Sequence, residues 1–214
     1  MHATWAESFQ SRRFLISFAI AILVIVAFTA SLPYFFNEIL LPKPGVQLND
    51  PILLAFQPKD WSIEIFFLLY TVTVFSLWLN RNKPETLLLM FQLYGVVNFM
   101  RITSLYLVTL EAPTGTIPLS DPFLTVFAYG KEVYVKDLFF SGHISTLCIL
   151  FLVEPRKWMR WIIALCAILV SLFLAWQRVH YTLDMIAAPV VSWLVFKFFI
   201  WIDSRLGVMP VKRT

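Results

Sequence analysis

The chain has 214 residues, of which 59% are hydrophobic and 14% charged, with a mean hydropathy of +0.76. A soluble domain carries roughly 45–50% apolar and about 25% charged residues, so this composition excludes a water-soluble globule and fits one domain solvated by lipid. The net charge of +4 sits in short basic clusters between apolar runs, where membrane topology accounts for it, and no nucleic-acid partner is expected.

A helix needs about 20 apolar residues to cross the hydrocarbon core. In chain order the stretches 14–36, 61–79, 85–110, 138–153, 159–178 and 181–202 meet or approach that length. Leu, Ile, Phe and Ala dominate and period-two alternation is absent, so the expected fold class is all-α, an integral membrane six-helix bundle, not a membrane barrel. The first stretch follows Arg12 and Arg13 as a signal peptide would. It is too long for an h-region of about 7–15 residues and reads as an uncleaved helix, with cleavage near Ala30 as the alternative. The fourth stretch is short, and part of 125–137 is expected at the interface. Residues 1–214 are read as a single transmembrane domain. Cys148 and Cys166 fall inside apolar stretches and read as packing residues, not as a disulfide.

Pro84 and Pro155 punctuate two tight links, while Pro42, Pro44, Pro51 and Pro58 mark one long loop and Pro113, Pro118 and Pro122 another. Arg12, Arg13, Arg81, Lys83, Arg156, Lys157, Arg160, Arg205, Lys212 and Arg213 then lie on one side, against Lys43, Lys59, Lys131 and Lys136 on the other. The excess assigns both termini to the cytoplasm and the long loops to the outside. Lys197 can snorkel, and Trp61, Trp158, Trp161, Trp193 and Trp201 read as interfacial anchors. Short loops and small size favour a bacterial inner membrane over a eukaryotic secretory membrane.

Ionisable groups inside a span cost at least about 2.5–3.5 kcal/mol on insertion scales, so each is a candidate for function. In this topology Arg101, Asp137, His143, Arg178, His180 and Asp184, with Glu64, fall at one depth near the outer leaflet, although other residues set the orientation. Alone, an interfacial histidine or a snorkelling arginine needs no special account; it is the convergence that points to a site. His180 and Asp184 are four apart and share a helix face, where a carboxylate can fix one imidazole nitrogen and leave the other as nucleophile or base. Ser141-Gly142-His143 adds a second imidazole at a helix start, where backbone N–H groups can face phosphate oxygens. Two imidazoles and a carboxylate could instead hold iron or zinc. Arg101 and Arg178 would place positive charge beside such a cation but suit an anion, so neither metal nor cofactor is expected and phosphoryl chemistry is. A transporter would spread its charges toward the inner leaflet, and the inner halves here are almost uncharged.

Asp137-Leu138-Phe139-Phe140-Ser141-Gly142-His143, followed by His180-Tyr181-Thr182-Leu183-Asp184, resembles the paired signatures of the sphingomyelin synthase family, a branch of the type 2 phosphatidate phosphatase superfamily. The stretch from Arg101 to Thr109-Leu110 is similar to the arginine and T-x-L-P segment of that family. The likeness covers roughly 85–202. Val135-Lys136 stands where the family has C-G, Ile144 where it has threonine, and Glu111 where it has proline. The K-x6-R-P motif of the phosphatase branch is absent and Phe140 replaces its proline, which favours the synthase branch over simple phosphatase activity. The resemblance implies a phosphotransferase acting on a phospholipid donor and a lipid acceptor. In it His180 is the nucleophile, Asp184 orients it, His143 is the general acid and base, and Arg101, Asp137, Ser141, Gly142, Arg178 and Tyr181 hold the phosphate and headgroup. Hydrolysis at the same site is the alternative. Oligomeric state leaves no mark in the sequence.

Overall fold

The computed structural model describes residues 4–55, 57–121 and 135–206. Most of the interfacial stretch expected in 125–137, together with Lys131, Lys212 and Arg213, lies outside them. Among the described residues the elements are α1 (Trp5–Gln10), α2 (Arg12–Tyr34) continued by a π-helical stretch (Phe35–Leu40), α3 (Pro51–Leu54), α4 (Ser62–Asn80), α5 (Pro84–Leu107), α6 (Gly142–Val153), α7 (Lys157–Trp176) and α8 (Thr182–Leu206). Local chemistry sets the starts. Thr4 and Glu7 form a reciprocal capping box on α1, Ser11 caps α2, and Pro84 with Glu85 opens α5. Pro33, inside α2, lacks the N–H that would continue the α-helical pattern, and the wider π turn follows it.

Among the described residues five helices are long and apolar enough to cross a membrane: Arg12–Leu40, Ser62–Asn80, Pro84–Leu107, Lys157–Trp176 and Thr182–Ile202. The all-α membrane bundle is therefore as expected, with α6 as a shorter sixth member. Its 12 residues span about 18 Å. The fourth stretch was expected as a span from 138, and the helix begins only at Gly142. The reason lies in what the preceding segment does instead. The carbonyl of Phe139 accepts from Ser104 Oγ (2.8 Å), that of Phe140 accepts from Arg101 Nε (3.0 Å), and the N–H of Ser141 donates to the carbonyl of Asp184 (3.3 Å). These backbone groups serve neighbouring helices and so cannot close a helical turn. Likewise α5 stops at Leu107, short of 110, because Val46 exchanges hydrogen bonds with Thr109 and Glu111 across a parallel bridge (3.0 and 3.1 Å).

α6 packs against α4, α5, α7 and α8, with Leu147 fully buried. By contrast α2 packs chiefly on α5, where Gly95 lets Val24 approach, and only 6% of its most apolar window is buried. The two tight links meet at one end of the bundle. There the buried carboxylate of Glu154 accepts from Asn80 Nδ2 (2.7 Å), Ser76 Oγ (3.3 Å) and Arg156 Nη1 (2.8 Å), while Arg156 Nη2 donates to the Leu79 carbonyl (2.7 Å). Trp5 of α1 reaches the same end, donating to the Arg81 carbonyl (2.6 Å). Lys43 and Lys136 meet at the other end. The tight links and the Lys43–Lys136 contact thus lie at opposite ends of the bundle.

Removing one partner of a buried ion pair strands the others, so Glu154→Ala should lower stability by about 3 kcal/mol. Thermal unfolding in detergent measures this, with Glu154→Gln falling between the variant and the parent.

Candidate active site

The site is built outward from Arg101, which is only 6% exposed although it belongs to a span. Its guanidinium pairs with Asp137 and donates from Nε to the Phe140 carbonyl (3.0 Å). It also lies against the first residue of α6: a Cβ added at Gly142 would stand 3.0 Å from both Cζ and Nε. Only a residue without a side chain lets the guanidinium this close to the start of the helix. The first N–H groups of a helix have no partner within it, and its N-terminal end carries partial positive charge. Arginine and helix start therefore converge on one point, which suits an anion.

His143 follows on the first turn of α6, edge-on to Phe66 with ring centres 5.6 Å apart. His180 is its neighbour from the turn before α8, with ring centres 6.0 Å apart and planes inclined by 67°. His180 Nδ1 faces Asp184 Oδ2 at 3.6 Å, beyond hydrogen-bond length, and that oxygen accepts from the N–H of Tyr181 at 3.0 Å. Asp184 thus caps its own helix while standing beside the imidazole. Catalytic hydrogen bonds are often long without substrate and tighten around it. Four buried atoms at this place, Ser141 Oγ, His143 Nδ1, His180 Nδ1 and Asp184 Oδ1, have no hydrogen-bond partner among the described residues. Buried polar groups are nearly always satisfied, so a cluster of four marks a place where something else is meant to bind or react.

What holds His180 in place was not legible beforehand. α7 ends in a Schellman motif: the N–H of Val179 donates to the Leu174 carbonyl and that of Arg178 to the Ala175 carbonyl, both at 3.0 Å. Arg178 takes the left-handed position usually given to glycine, with φ of 58°. Before it, the fully buried Gln177 accepts from the Trp61 N–H (2.8 Å) and donates to Ser62 Oγ (3.0 Å) and the Ile117 carbonyl (3.2 Å). After it, Asp50 holds the start of α8, accepting from Thr182 N–H (2.7 Å) and Thr182 Oγ1 (3.2 Å), and also caps α3 through Ile52 N–H (3.1 Å).

A cavity of about 440 Å³ opens beside His143, lined at one end by Arg101, Asp137, Gly142 and His143 and elsewhere mostly by apolar residues of α2, α4, α5 and α6. Of the residues singled out in the sequence, these four share the cavity. His180, Asp184 and Ser141 lie one layer further in, at 1%, 0% and 0% exposure. Arg178 and Tyr181 line a separate small pocket with Asp50 and Thr114. There Arg178 Nη1 donates to the Thr114 carbonyl (2.9 Å), and the Tyr181 hydroxyl donates to the Glu111 carbonyl (2.8 Å) and accepts from Leu48 N–H (3.2 Å). Glu64 is exposed on the first turn of α4, away from the cluster.

Two sequence departures turn out to be one interaction. Lys136 and Glu111 form an ion pair of 2.7 Å, and Lys136 also donates to the Lys43 carbonyl (2.8 Å). The hydrogen bond from Lys136 holds the Glu111 carboxyl below the ordinary range. Together they bind the chain segment before Asp137 to the segment after α5.

These features define an all-α membrane bundle with a buried site of two histidines, an aspartate and an arginine. Residues 136–202 match the family model described as PAP2 superfamily C-terminal, just under a third of the chain. The match supports the type 2 phosphatidate phosphatase superfamily for this region, and with it lipid chemistry of the phosphatase or phosphotransferase type. Both histidines and Asp184 fall inside the matched region, while Arg101 precedes it. A comparison with curated proteins gave no match.

Gly142→Ala should shift the guanidinium of Arg101 a few tenths of an ångström from the start of α6 while sparing the fold. A displacement of that kind should lower turnover severalfold, and kinetics beside a thermal melt separate this from unfolding.

Proposed function

We propose that the chain transfers the phospho-headgroup of a glycerophospholipid to the hydroxyl of a second lipid, ceramide-like or a diacylglycerol, at the outer leaflet of its membrane. The cluster of four unpartnered buried polar atoms around the two histidines carries this reading. The match of residues 136–202 and the resemblance to sphingomyelin synthases support it.

In the first step His180 attacks the headgroup phosphorus, an N–P bond forms, and the P–O bond to the glycerol breaks. His143 gives its proton to the departing alkoxide, so diacylglycerol leaves neutral. In the second step His143 takes the proton of the acceptor hydroxyl, whose oxygen attacks phosphorus and displaces His180. Asp184 balances the charge on His180 in the intermediate. Arg101 and the N–H groups at the start of α6 stabilise the phosphoryl oxygens. Asp137 fixes the guanidinium, and Ser141 stands beside the reacting group. Arg178 and Tyr181 serve the turn and loop that position His180. Because His143 lines the cavity and His180 lies one ring deeper, substrate must bring its phosphorus past the edge of His143.

Hydrolysis is the second reading, since the superfamily match covers phosphatases and transferases alike. Water would resolve the same intermediate, and exclusion of water from the pocket decides between the two.

The purified protein, given fluorescent ceramide and fluorescent diacylglycerol with mixed phosphatidylcholine, phosphatidylethanolamine and phosphatidylinositol, should form a new fluorescent phospholipid resolved by thin-layer chromatography. His180→Ala should abolish it at unchanged expression. Phosphate or phosphoryl headgroup in the aqueous phase with no new lipid would establish hydrolysis, and full activity in the variant would remove His180 from the chemistry.

A further inference from the structure

The cavity beside His143 changes character along its length. Arg101, Asp137 and His143 line one end, Leu77, Met90 and Leu150 line it toward the opposite ends of α4, α5 and α6, and Tyr70, Tyr94, Asn98 and Asp121 stand among the apolar residues between. We infer that it seats one acyl chain of the phosphate-bearing lipid, and that Leu77, Met90 and Leu150 form a floor that limits the length of chain accepted. The inference rests on the reading that a lipid phosphate lies at Arg101 and His143.

Depth is the first argument. Arg101 and Met90 lie on the same helix, α5, and their separation along its axis is about 16 Å. Half of a hydrocarbon core about 30 Å thick is about 15 Å, the reach of one chain in one leaflet. A phosphate beside Arg101 thus leaves about one chain's length of mostly apolar wall between it and Met90.

Volume is the second. A cavity of about 440 Å³ falls in the low part of the range of small-molecule pockets, about 300–1,000 Å³, which suits one chain better than a whole two-chain lipid.

The third argument concerns the other chain. α2 leans on α5, and among the described residues it makes little contact with α4. Ile25, Phe28 and Leu32 of α2 and Leu69, Thr73 and Leu77 of α4 face the cavity from either side of this seam. The second chain remains in the bilayer, and the seam lets the first slide in sideways without the headgroup crossing hydrocarbon. The slot therefore selects on one chain alone. The chain exchanges bilayer hydrocarbon for apolar protein wall, so length enters through fit: a chain longer than the floor allows must buckle or withdraw its phosphate from Arg101.

The test uses the full chain in phosphatidylcholine nanodiscs holding a trace of phosphatidylcholine with a diazirine at the methyl end of its sn-2 chain. After irradiation, digestion and mass spectrometry, adducts are expected on Leu77, Met90 or Leu150, and Leu77→Trp, which fills the floor, should reduce that labelling severalfold. Adducts confined to outward-facing Val74, Ile186 and Leu194, which are 65%, 60% and 53% exposed, would overturn the slot, as would an unchanged profile in Leu77→Trp. Labelled floor residues in a protein without headgroup turnover would defeat the reaction and leave the slot. Turnover with labelling outside only would defeat the slot and leave the reaction.

Discussion

Arg101 lies within a membrane span at 6% exposure, and much of the bundle's shape at that end follows from satisfying its guanidinium. A guanidinium there needs an acid and carbonyl oxygens at fork geometry, since an unpaired buried charge costs several kcal/mol. Asp137 supplies the acid and Phe140 the carbonyl, both from the segment before α6. That segment must then remain non-helical, which shortens α6 to 12 residues and brings its N-terminal end against Arg101, within the length of α5. The missing side chain at Gly142 completes the fit. One buried cation thus accounts for the short helix, the position of its first turn and the placing of His143.

The second histidine depends on a different set of contacts. His180 follows a left-handed arginine and precedes a helix held at its start by Asp50 from a distant loop. Gln177 ties the same turn to α4 and to the segment near Ile117. Loop, turn and helix start form a polar shell around an imidazole that is itself 1% exposed. This shell leaves the ring few ways to move, as positioned catalytic groups require.

The apolar runs made the bundle legible in the sequence, because crossing lipid forces long uninterrupted hydrophobic stretches. Arg101, Asp137, His143, His180 and Asp184 stood out for the converse reason, that polar groups are costly there. Helix ends were less legible. The starts at 142 and the stop at 107 depend on hydrogen bonds between distant segments, which periodicity does not encode. Arg178 read as an anion holder because charge was the visible property, whereas its backbone angle was not. Asp50 and Gln177 went unnoticed because an acid or amide in a loop is ordinary in sequence and gains meaning only from its partners. Glu154 read as part of a turn and is the centre of a buried clasp.

The sparse packing of α2 has a consequence for how such a molecule can change over generations. This helix closes one flank of the cavity yet contributes nothing to the histidines, the arginine or the clasp at the far end. Substitutions along Ile25, Phe28 and Leu32 can reshape that flank without disturbing the groups that would do the chemistry. Tolerance to mutation is then unevenly distributed: one helix is free to drift with the lipid composition of its host, while the other five are bound together by the demands of the site.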